Sequence, residues 1–127
     1  MKKKIETAGA PAPIGPYSQG IAASGSFLFV AGQTAKDPVS GVIPKGVKAQ
    51  TERCLLNIKA IVEAAGATMA DVVRVGVFMK DLDNFAVMNE VYASFFSAPF
   101  PARTTVGASL PGGPLEVEID AVVHLPK

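Results

Sequence analysis

The sequence has little cysteine and no long hydrophobic run. Its one cysteine, Cys54, cannot form an intramolecular disulfide, and a single thiol cannot hold zinc or an iron–sulfur cluster. No apolar stretch reaches the roughly 20 residues that a transmembrane helix needs, because charged residues, glycine or proline interrupt each candidate. These absences argue against a disulfide scaffold, a thiolate metal centre and a membrane protein.

The sequence also has no large excess of positive or negative charge. Twelve Lys and Arg residues oppose eleven Asp and Glu residues, which gives a formal net charge of +1. This balance supplies no strong field for nucleic acid or an anionic membrane, so composition argues against both partners. The basic residues 2–4 are followed by Glu6 and prolines instead of an apolar segment, so we predict a solvated, frayed terminus, no export signal and a cytoplasmic location.

Cofactor motifs are missing as well. No G-x-G-x-x-G or H-x-x-x-H pattern occurs, which removes the sequence basis for a dinucleotide fold or a helical zinc site. Gly41 to Gly46 has P-loop spacing, but Val47 stands where the lysine is required. His124 has no evident nucleophile partner and is interpreted as a surface residue, and Cys54 as a packed helical residue. We expect no metal and no organic cofactor.

Apolar residues are plentiful for so short a chain. The 127 residues suit one domain, 49% of them are hydrophobic, and the mean hydropathy is +0.32. A sphere of this size cannot bury so much apolar surface, so part of that surface is expected in a contact between subunits. The composition therefore predicts a single domain over residues 1–127 that forms a homo-oligomer.

Hydrophobic periodicity predicts the element order β-β-α-β-α-β-β. Apolar residues at spacings of three and four predict helices over residues 47–65 and from Asp83 or Asn84 to the prolines near residue 100. The apolar face of the second helix contains Phe85, Met88, Tyr92 and Phe95. The predicted strands cover residues 21–23, 27–32, 72–80, 103–109 and 115–125. The first two strands are expected to pair as a hairpin, with residues 27–32 buried on both faces.

This order indicates an α+β domain with two α-helices packed on one face of a mixed β-sheet. The other face of the sheet is expected to pack against further copies of the chain.

Polar residues that could carry chemistry concentrate in the last two strands. Alternation places Glu116, Glu118 and Asp120 on one face of the final strand, about 7 Å apart. They form a solvated face, or they include a buried acid or base that needs a nearby cation. Arg103, expected on the adjacent strand, either offers its planar fork to a substrate carboxylate or pairs with Glu116 or Asp120.

Several segments resemble one protein family along nearly the whole chain. The most specific are residues 101–106 (PARTTV) and, after a short loop, residues 117–119 (VEI). Supporting matches are residues 12–20 (APIGPYSQG), 32–33, 57–58, 64–66 and 80–89. With these segments the sequence resembles the RidA (YjgF) family of reactive enamine/imine deaminases.

The resemblance implies a chorismate-mutase-like α+β fold. It also implies a homotrimer whose sheets form a central barrel, with one site in each cleft between subunits. In this family pattern Arg103 falls on the residue that binds a substrate carboxylate, and Glu118 on the residue that activates water. These expectations agree with the predicted element order and with the surplus of apolar residues.

Four further positions enter the implied site. Tyr17 matches a tyrosine that lines the cleft from a neighbouring subunit, and Gly32 matches a glycine whose backbone faces the ligand. Asn89 matches an asparagine near the cleft, and Thr105 is expected among the substrate-binding residues. Many members carry cysteine at the position of Thr105, so no thiol-based redox response is expected of this chain.

The implied activity is hydrolytic deamination of small enamine and imine acids to 2-keto acids and ammonium. The expected substrates are 2-aminoacrylate, 2-iminopropanoate and 2-iminobutanoate. One alternative is a non-catalytic sensor in which the same arginine binds a stable keto acid. A third interpretation, a ribonuclease or translation inhibitor, rests on names given to family members, and the near-neutral charge argues against it.

Overall fold

Within residues 2–126, which the computed structural model describes, the chain folds into six β-strands and two α-helices. The strands are β1 (Lys2–Ile5), β2 (Gly20–Ala23), β3 (Ser26–Gln33), β4 (Val72–Met79), β5 (Ala102–Gly107) and β6 (Val117–Leu125). The helices are α1 (Val47–Ala64) and α2 (Phe85–Phe95), and short 3₁₀ turns precede β4 and α2. The α+β class expected from the sequence is confirmed.

Four of the strands form one mixed sheet in the order β3-β6-β4-β5, and β1 pairs with β2 separately. β4 and β5 run parallel because α2 connects them as a crossover, whereas the other neighbours run antiparallel. The predicted hairpin of β2 with β3 is wrong, since β3 pairs with β6 and β2 with β1. The predicted adjacency of the last two strands is also wrong, because β4 lies between them.

The N-terminal residues are ordered by pairing with β2. Lys2 lies opposite Ala23, so the frayed terminus predicted for residues 2–4 is wrong. The Nζ atom of Lys2 donates a 3.0 Å hydrogen bond to the carbonyl oxygen of Val72. Burial lowers the pKa of this ammonium group, and the charge of Asp71 acts in the opposite direction.

Both helices turn their apolar faces towards the same side of the sheet. The apolar spacing of α1 predicts one buried face that contains Leu55, Ile58, Val62 and Ala65, and the first three are buried, whereas Ala65 follows the last helical residue and is exposed. Gly66, which glycine preference predicts directly after the helix, has φ +82°. Asn84, one of the two predicted caps, precedes α2, but its side chain makes no capping bond. Its backbone is nearly helical at φ −92° and ψ 14°, outside the extended conformation that such a bond usually requires.

The opposite side of the sheet, called the outer face below, is uncovered in a single chain. The prediction that β3 is buried on both faces is wrong, because the helices cover one face only. Val30 on the helix side is 5% exposed, whereas Phe29 on the outer face is 76% exposed. The outer face also carries Phe78, Val106, Glu118 and Asp120.

His124 and Cys54 are both buried. The surface position predicted for His124 is wrong, since its ring meets Phe27 edge-on and its Nε2 atom lies 2.6 Å from the carbonyl oxygen of Ser24. The interpretation of Cys54 as a packed residue is confirmed by its complete burial. Burial raises the pKa of the Cys54 thiol to about 12, so this group is unsuited to nucleophilic chemistry near neutral pH.

Candidate functional site

A half-buried arginine lies where β5 meets α2. The Nη1 atom of Arg103 donates a 2.6 Å hydrogen bond to Oδ1 of Asn89. The rings of Tyr92, Tyr17 and Phe85 surround the guanidinium, with centroids 4.8, 5.4 and 5.6 Å from its Cζ atom. One hydrogen bond and three aromatic faces therefore restrict the orientation of the cation. These five residues are called the Arg103 cluster below.

One face of α2 supplies three members of this cluster. Phe85, Asn89 and Tyr92 follow one another at intervals of four and three residues, so they share a side of the helix. The resemblance indicated Asn89 as a site residue, whereas the apolar spacing indicated Phe85 and Tyr92 only as members of the apolar helix face. The signal that could have revealed them is the position of a polar residue between two aromatic ones on the same face.

No described carboxylate, from residue 2 to residue 126, forms an ion pair with Arg103. The alternative in which Arg103 pairs with Glu116 or Asp120 is therefore wrong. β4 separates β5 from β6, and Asp120 instead accepts a 3.0 Å hydrogen bond from the amide of Gly76. The Arg103 cluster is thus a partly desolvated positive site for which residues 2–126 provide no counter-charge.

The electrostatics of the cluster favour a bound anion. Burial lowers the pKa of Arg103, while its interactions with Tyr92 and Tyr17 act in the opposite direction. An arginine nevertheless stays protonated at neutral pH. Burial raises the pKa of Tyr92, so its phenol stays neutral there. The one formal charge of the cluster near neutral pH is therefore the guanidinium.

A proline-rich segment before β2 crosses the Arg103 cluster. The amide of Tyr17 donates a 2.8 Å hydrogen bond to the carbonyl of Gly15. A Cβ atom on Gly15 would lie 3.3 Å from Nδ2 of Asn89 and 3.7 Å from Nη2 of Arg103, so glycine lets the backbone approach closely. The resemblance placed Tyr17 in the cleft of a neighbouring subunit, but here its ring lies over the arginine of its own chain.

Three hydroxyl groups are buried without a hydrogen-bond partner among the described residues, and two of them belong to residues near Arg103, the third being Oγ1 of Thr51 on α1. One is Oγ1 of Thr105, which follows Arg103 by two residues and so shares its face of β5. The other is the phenol oxygen of Tyr92. Buried hydroxyl groups are usually paired, so both retain unused hydrogen-bonding capacity.

Glu118 and Gly32 form a second pair of predicted site residues. Glu118 projects from β6 on the outer face, and Gly32 lies next to it on β3. A Cβ atom at position 32 would overlap Oε2 of Glu118 and lie 3.1 Å from its Cδ. Glycine is therefore the residue that leaves room for this carboxylate, and the two residues are called the Gly32–Glu118 pair below.

The structure does not bring Arg103 and Glu118 together within one chain. Arg103 lies opposite Val75, whose side chain is in the core on the helix side. Glu118 lies opposite Phe78, on the outer face. The sheet itself separates the two side chains, so a single chain does not present both of them to one small ligand.

Residues 2–126 provide neither a metal-binding cluster nor a membrane-spanning helix. No group of three or more His, Cys, Asp and Glu residues there is placed to hold a metal ion. None of the described helices is both long enough and apolar enough to cross a membrane. An open hollow of about 590 Å³ adjoins Gly32, and Arg53 and Asn57 contribute to its lining.

Comparison with known proteins places this geometry in a family. The model of the endoribonuclease L-PSP family matches residues 7–125. A RutC family protein from Pyrococcus horikoshii is 51% identical over 125 residues, covering 98% of each chain. A 2-iminobutanoate/2-iminopropanoate deaminase from Salmonella typhimurium is 44% identical over 125 residues, covering 96% of this chain and 97% of its own.

A solved structure agrees with these sequence matches. The crystal structure of Escherichia coli TdcF with bound serine superposes with a TM-score of 0.76 and 42% identity, covering 98% of this chain and 99% of that one. The chain therefore belongs to the endoribonuclease L-PSP family, which is the RidA (YjgF) family that the sequence resembles.

Proposed function

We propose that this protein hydrolyses small reactive enamine and imine acids to 2-keto acids and ammonium. The observation that carries the proposal is the unpaired, partly desolvated guanidinium of Arg103, held by Asn89 and by three rings. Such a cation suits one small carboxylate. The names of related proteins support the proposal, since the Salmonella relative is named as a deaminase of 2-iminobutanoate and 2-iminopropanoate.

In the proposed mechanism Arg103 binds the substrate carboxylate. The hydrogen bond to Asn89 fixes the rotation of the guanidinium fork, and the rings keep it in place between them. A planar fork can hold a carboxylate through two parallel hydrogen bonds, which positions the adjacent carbon as well as binding it. Thr105, whose hydroxyl is buried on the same face, supplies a further hydrogen bond to the ligand.

Glu118 acts as the general base in this proposal. The oxygen of a water molecule forms a bond to C2 of the protonated imine while a proton passes from the water to the carboxylate, and the C=N double bond becomes a single bond. The protonated Glu118 returns that proton to the nitrogen of the resulting amino alcohol. The C–N bond then breaks as the carboxylate takes the hydroxyl proton and the C=O bond of the 2-keto acid forms, and the released ammonia takes up this proton and leaves as ammonium. An enamine such as 2-aminoacrylate first takes a proton at C3 and becomes the protonated imine. Neither a metal nor an organic cofactor takes part in these steps.

The proposed site requires two copies of the chain. Since Arg103 and Glu118 lie on opposite faces of the sheet, the Arg103 cluster of one copy must meet the Gly32–Glu118 pair of the next. A repeated contact between two different surfaces gives a closed ring where the rotation between copies closes, and an open filament otherwise. Three copies is the number that the family resemblance implies, and exposed apolar residues of the outer face such as Phe29 and Val106 would be covered in the assembly.

The rival function is a sensor that binds a stable keto acid without turnover. The Arg103 cluster would bind that ligand equally well, so activity must be measured together with binding. Cleavage of RNA, which the family description suggests, would require a binding surface that attracts phosphates. The net charge of +1 does not favour such a surface.

The test generates 2-aminoacrylate in place with a serine/threonine dehydratase. Semicarbazide traps the remaining imine, and the rate of keto-acid formation is measured with wild type, Arg103→Ala, Arg103→Lys and Glu118→Ala. Wild type should accelerate the reaction, and each variant should lose at least about tenfold in activity. Lys59→Ala and Glu63→Ala, which remove exposed charges from α1, serve as controls. Binding of 2-oxobutanoate without any acceleration by wild type would support the sensor instead.

A further inference from the structure

Ser18 connects two parts of the Arg103 cluster without belonging to it. Its hydroxyl donates a hydrogen bond to the carbonyl of Phe100, and its amide donates a 3.0 Å hydrogen bond to the carbonyl of Pro101. Ser18 also forms an isolated parallel bridge with Ala102. These partners lie directly before Arg103 in the chain.

Ser18 directly follows Tyr17 in the chain, and the ring of Tyr17 lies 5.4 Å from the Cζ atom of Arg103. Ser18 is 5% exposed although its segment is mostly exposed or half-buried. Its two hydrogen bonds therefore fix the segment that carries Tyr17 to the segment that carries Arg103. Movement of one segment relative to the other would change the distance between ring and cation.

Gln19 anchors the remaining side of the same segment. Its Nε2 atom donates to the carbonyls of Thr7, Ala10 and Pro11 at 3.1, 3.2 and 2.8 Å, and its Oε1 atom accepts a 2.7 Å hydrogen bond from the amide of Thr7. The segment from residue 7 to residue 17 thus closes on itself. Ser18 is the residue that then ties this closed loop to β5.

We propose that Ser18 is a positioning residue of the Arg103 site. By tying Tyr17 to the start of β5, it keeps the aromatic ring over the guanidinium and keeps Gly15 close to it, so that the fork is oriented before a carboxylate arrives. Ser18 itself does not touch the ligand. The inference rests on the proposed function, because it names a residue that governs carboxylate binding at the same site.

The first test separates binding from turnover. Ser18→Ala should raise KM for the imine and Kd for 2-oxobutanoate by about tenfold, with kcat within about threefold of wild type, because it removes the part-buried hydrogen bond from the hydroxyl to the carbonyl of Phe100 and leaves the backbone bond to Pro101 alone to hold the two segments. Ser18→Thr, which keeps the hydroxyl, should recover part of the affinity. Ser94→Ala is the matched control, since its hydroxyl also donates to a carbonyl, that of Val91, but away from the cluster. Equal KM values for Ser18→Ala and Ser94→Ala would overturn the proposal.

The second test asks whether Ser18 acts through Tyr17. Kd for 2-oxobutanoate is measured for Ser18→Ala, Tyr17→Ala and the double variant. If Ser18 positions the ring, the double variant should bind no more weakly than Tyr17→Ala, whereas Ser94→Ala combined with Tyr17→Ala should show additive effects. Additive effects for Ser18 and Tyr17 would contradict the proposed role.

A crystal structure of Ser18→Ala tests the geometry independently of activity. The ring of Tyr17 should leave its place over Arg103 or lose its ordered position, even if wild type proves to be neither a deaminase nor a keto-acid binder. An unchanged ring in the variant would overturn the positioning role. Absence of both turnover and binding in wild type would instead overturn the proposed function, and the structure would then decide on Ser18.

Discussion

At the residue scale, each half of the proposed site depends on one close contact of its charged side chain. Glu118 keeps its place on the outer face because Gly32 has no side chain, and Arg103 keeps its orientation because Asn89 accepts its Nη1 hydrogen bond. Neither contact involves a residue type that is unusual by itself. Their importance comes from geometry, which makes both contacts testable by small substitutions.

Gly32→Ala should inactivate the enzyme without unfolding the chain. The added Cβ would overlap Oε2 of Glu118, so the carboxylate must turn away from its present position. We expect a loss of at least about tenfold in keto-acid formation, since a small displacement of a catalytic group is costly. Circular dichroism and the imine assay check the prediction. Gly113→Ala is the control, because a Cβ there would meet open space, and full activity of Gly32→Ala would contradict the account.

Asn89→Ala should weaken substrate binding more than turnover. Arg103 would lose the hydrogen bond that fixes its rotation, so the fork would have to be ordered by the ligand itself. We expect KM to rise about five- to twentyfold, because a hydrogen bond to a charged group contributes roughly 1.5–3 kcal/mol and part of that loss is regained on binding. Asn84→Ala, which removes a side chain without a capping bond before α2, provides the comparison. Similar KM values for both variants would show that Asn89 has no such role.

The loops between the elements are held by polar side chains that periodicity does not reveal. Gln50 on α1 is 1% exposed, and its Nε2 atom donates to the carbonyls of Pro44 and Pro114. Its Oε1 atom accepts a 2.8 Å hydrogen bond from the amide of Glu116. One side chain thus fixes the loop before α1 and the loop that leads into β6.

Gln50→Ala should destabilise the fold strongly. Two carbonyls and one amide would lose a part-buried hydrogen bond and a cavity would replace the buried side chain, so we expect the free energy of unfolding to fall by about 2–4 kcal/mol. Urea denaturation followed by circular dichroism measures the change. Gln33→Ala, whose side chain makes one exposed 3.2 Å hydrogen bond to the carbonyl of Ala31, should change stability by less than about 1 kcal/mol. A Gln50→Ala variant as stable as Gln33→Ala would rule out this anchoring.

The contribution of the turn between β3 and α1 to the stability of the fold should depend on pH, because the turn is held by the carboxylate of Asp37. The amides of Ser40 and Val39 donate to this carboxylate and hold its pKa below the ordinary value of 3.8, and Arg53 forms an ion pair with it at 3.5 Å. A carboxyl with a lowered pKa in the folded state stabilises the fold above pH 3.8 and loses that contribution as the pH falls through the folded value.

Asp37→Asn should therefore have a lower Tm than wild type at pH 7, and the difference should shrink as the pH falls below 3.8. Thermal unfolding followed at several pH values measures it. Asp83→Asn, in the turn before α2, is the control for loss of an exposed carboxylate. A Tm difference for Asp37→Asn that stays constant from pH 7 to below pH 3 would contradict the assignment.

Local sequence patterns predicted the elements better than their arrangement. The helices and most strands lie where the apolar spacing placed them, because each pattern depends on residues a few positions apart. The pairing of β1 with β2 could not be predicted, since three lysines alone indicate a solvated terminus. The place of β4 between β5 and β6 depends on a crossover through α2 and on contacts distant in sequence.

The same limit applies to the candidate site. The residue pattern singled out Arg103 and three carboxylates on one face of the last strand, and the resemblance selected Glu118 among the three. Whether Glu118 and Arg103 lie on the same face of the sheet depends on how β5 pairs with β4 and how β4 pairs with β6. Only the folded chain shows that the two side chains point to opposite sides of the sheet.

In the whole molecule, the separation of Arg103 from Glu118 means that the proposed site must be shared between copies of the chain. If one copy provides the Arg103 cluster and another provides the Gly32–Glu118 pair, neither copy should be active alone. Two inactive variants with defects in different halves should then complement each other. A site contained within one chain could not behave in this way.

The measurement that tests this most directly is co-expression of Arg103→Ala with Glu118→Ala, followed by purification of the mixed oligomers and the imine assay. Each variant alone should be inactive. Random mixing at equal amounts joins an intact Arg103 to an intact Glu118 in about one site in four, so the mixture should regain about a quarter of wild-type activity. Mixed oligomers with no more activity than the separate variants would contradict a site shared between chains.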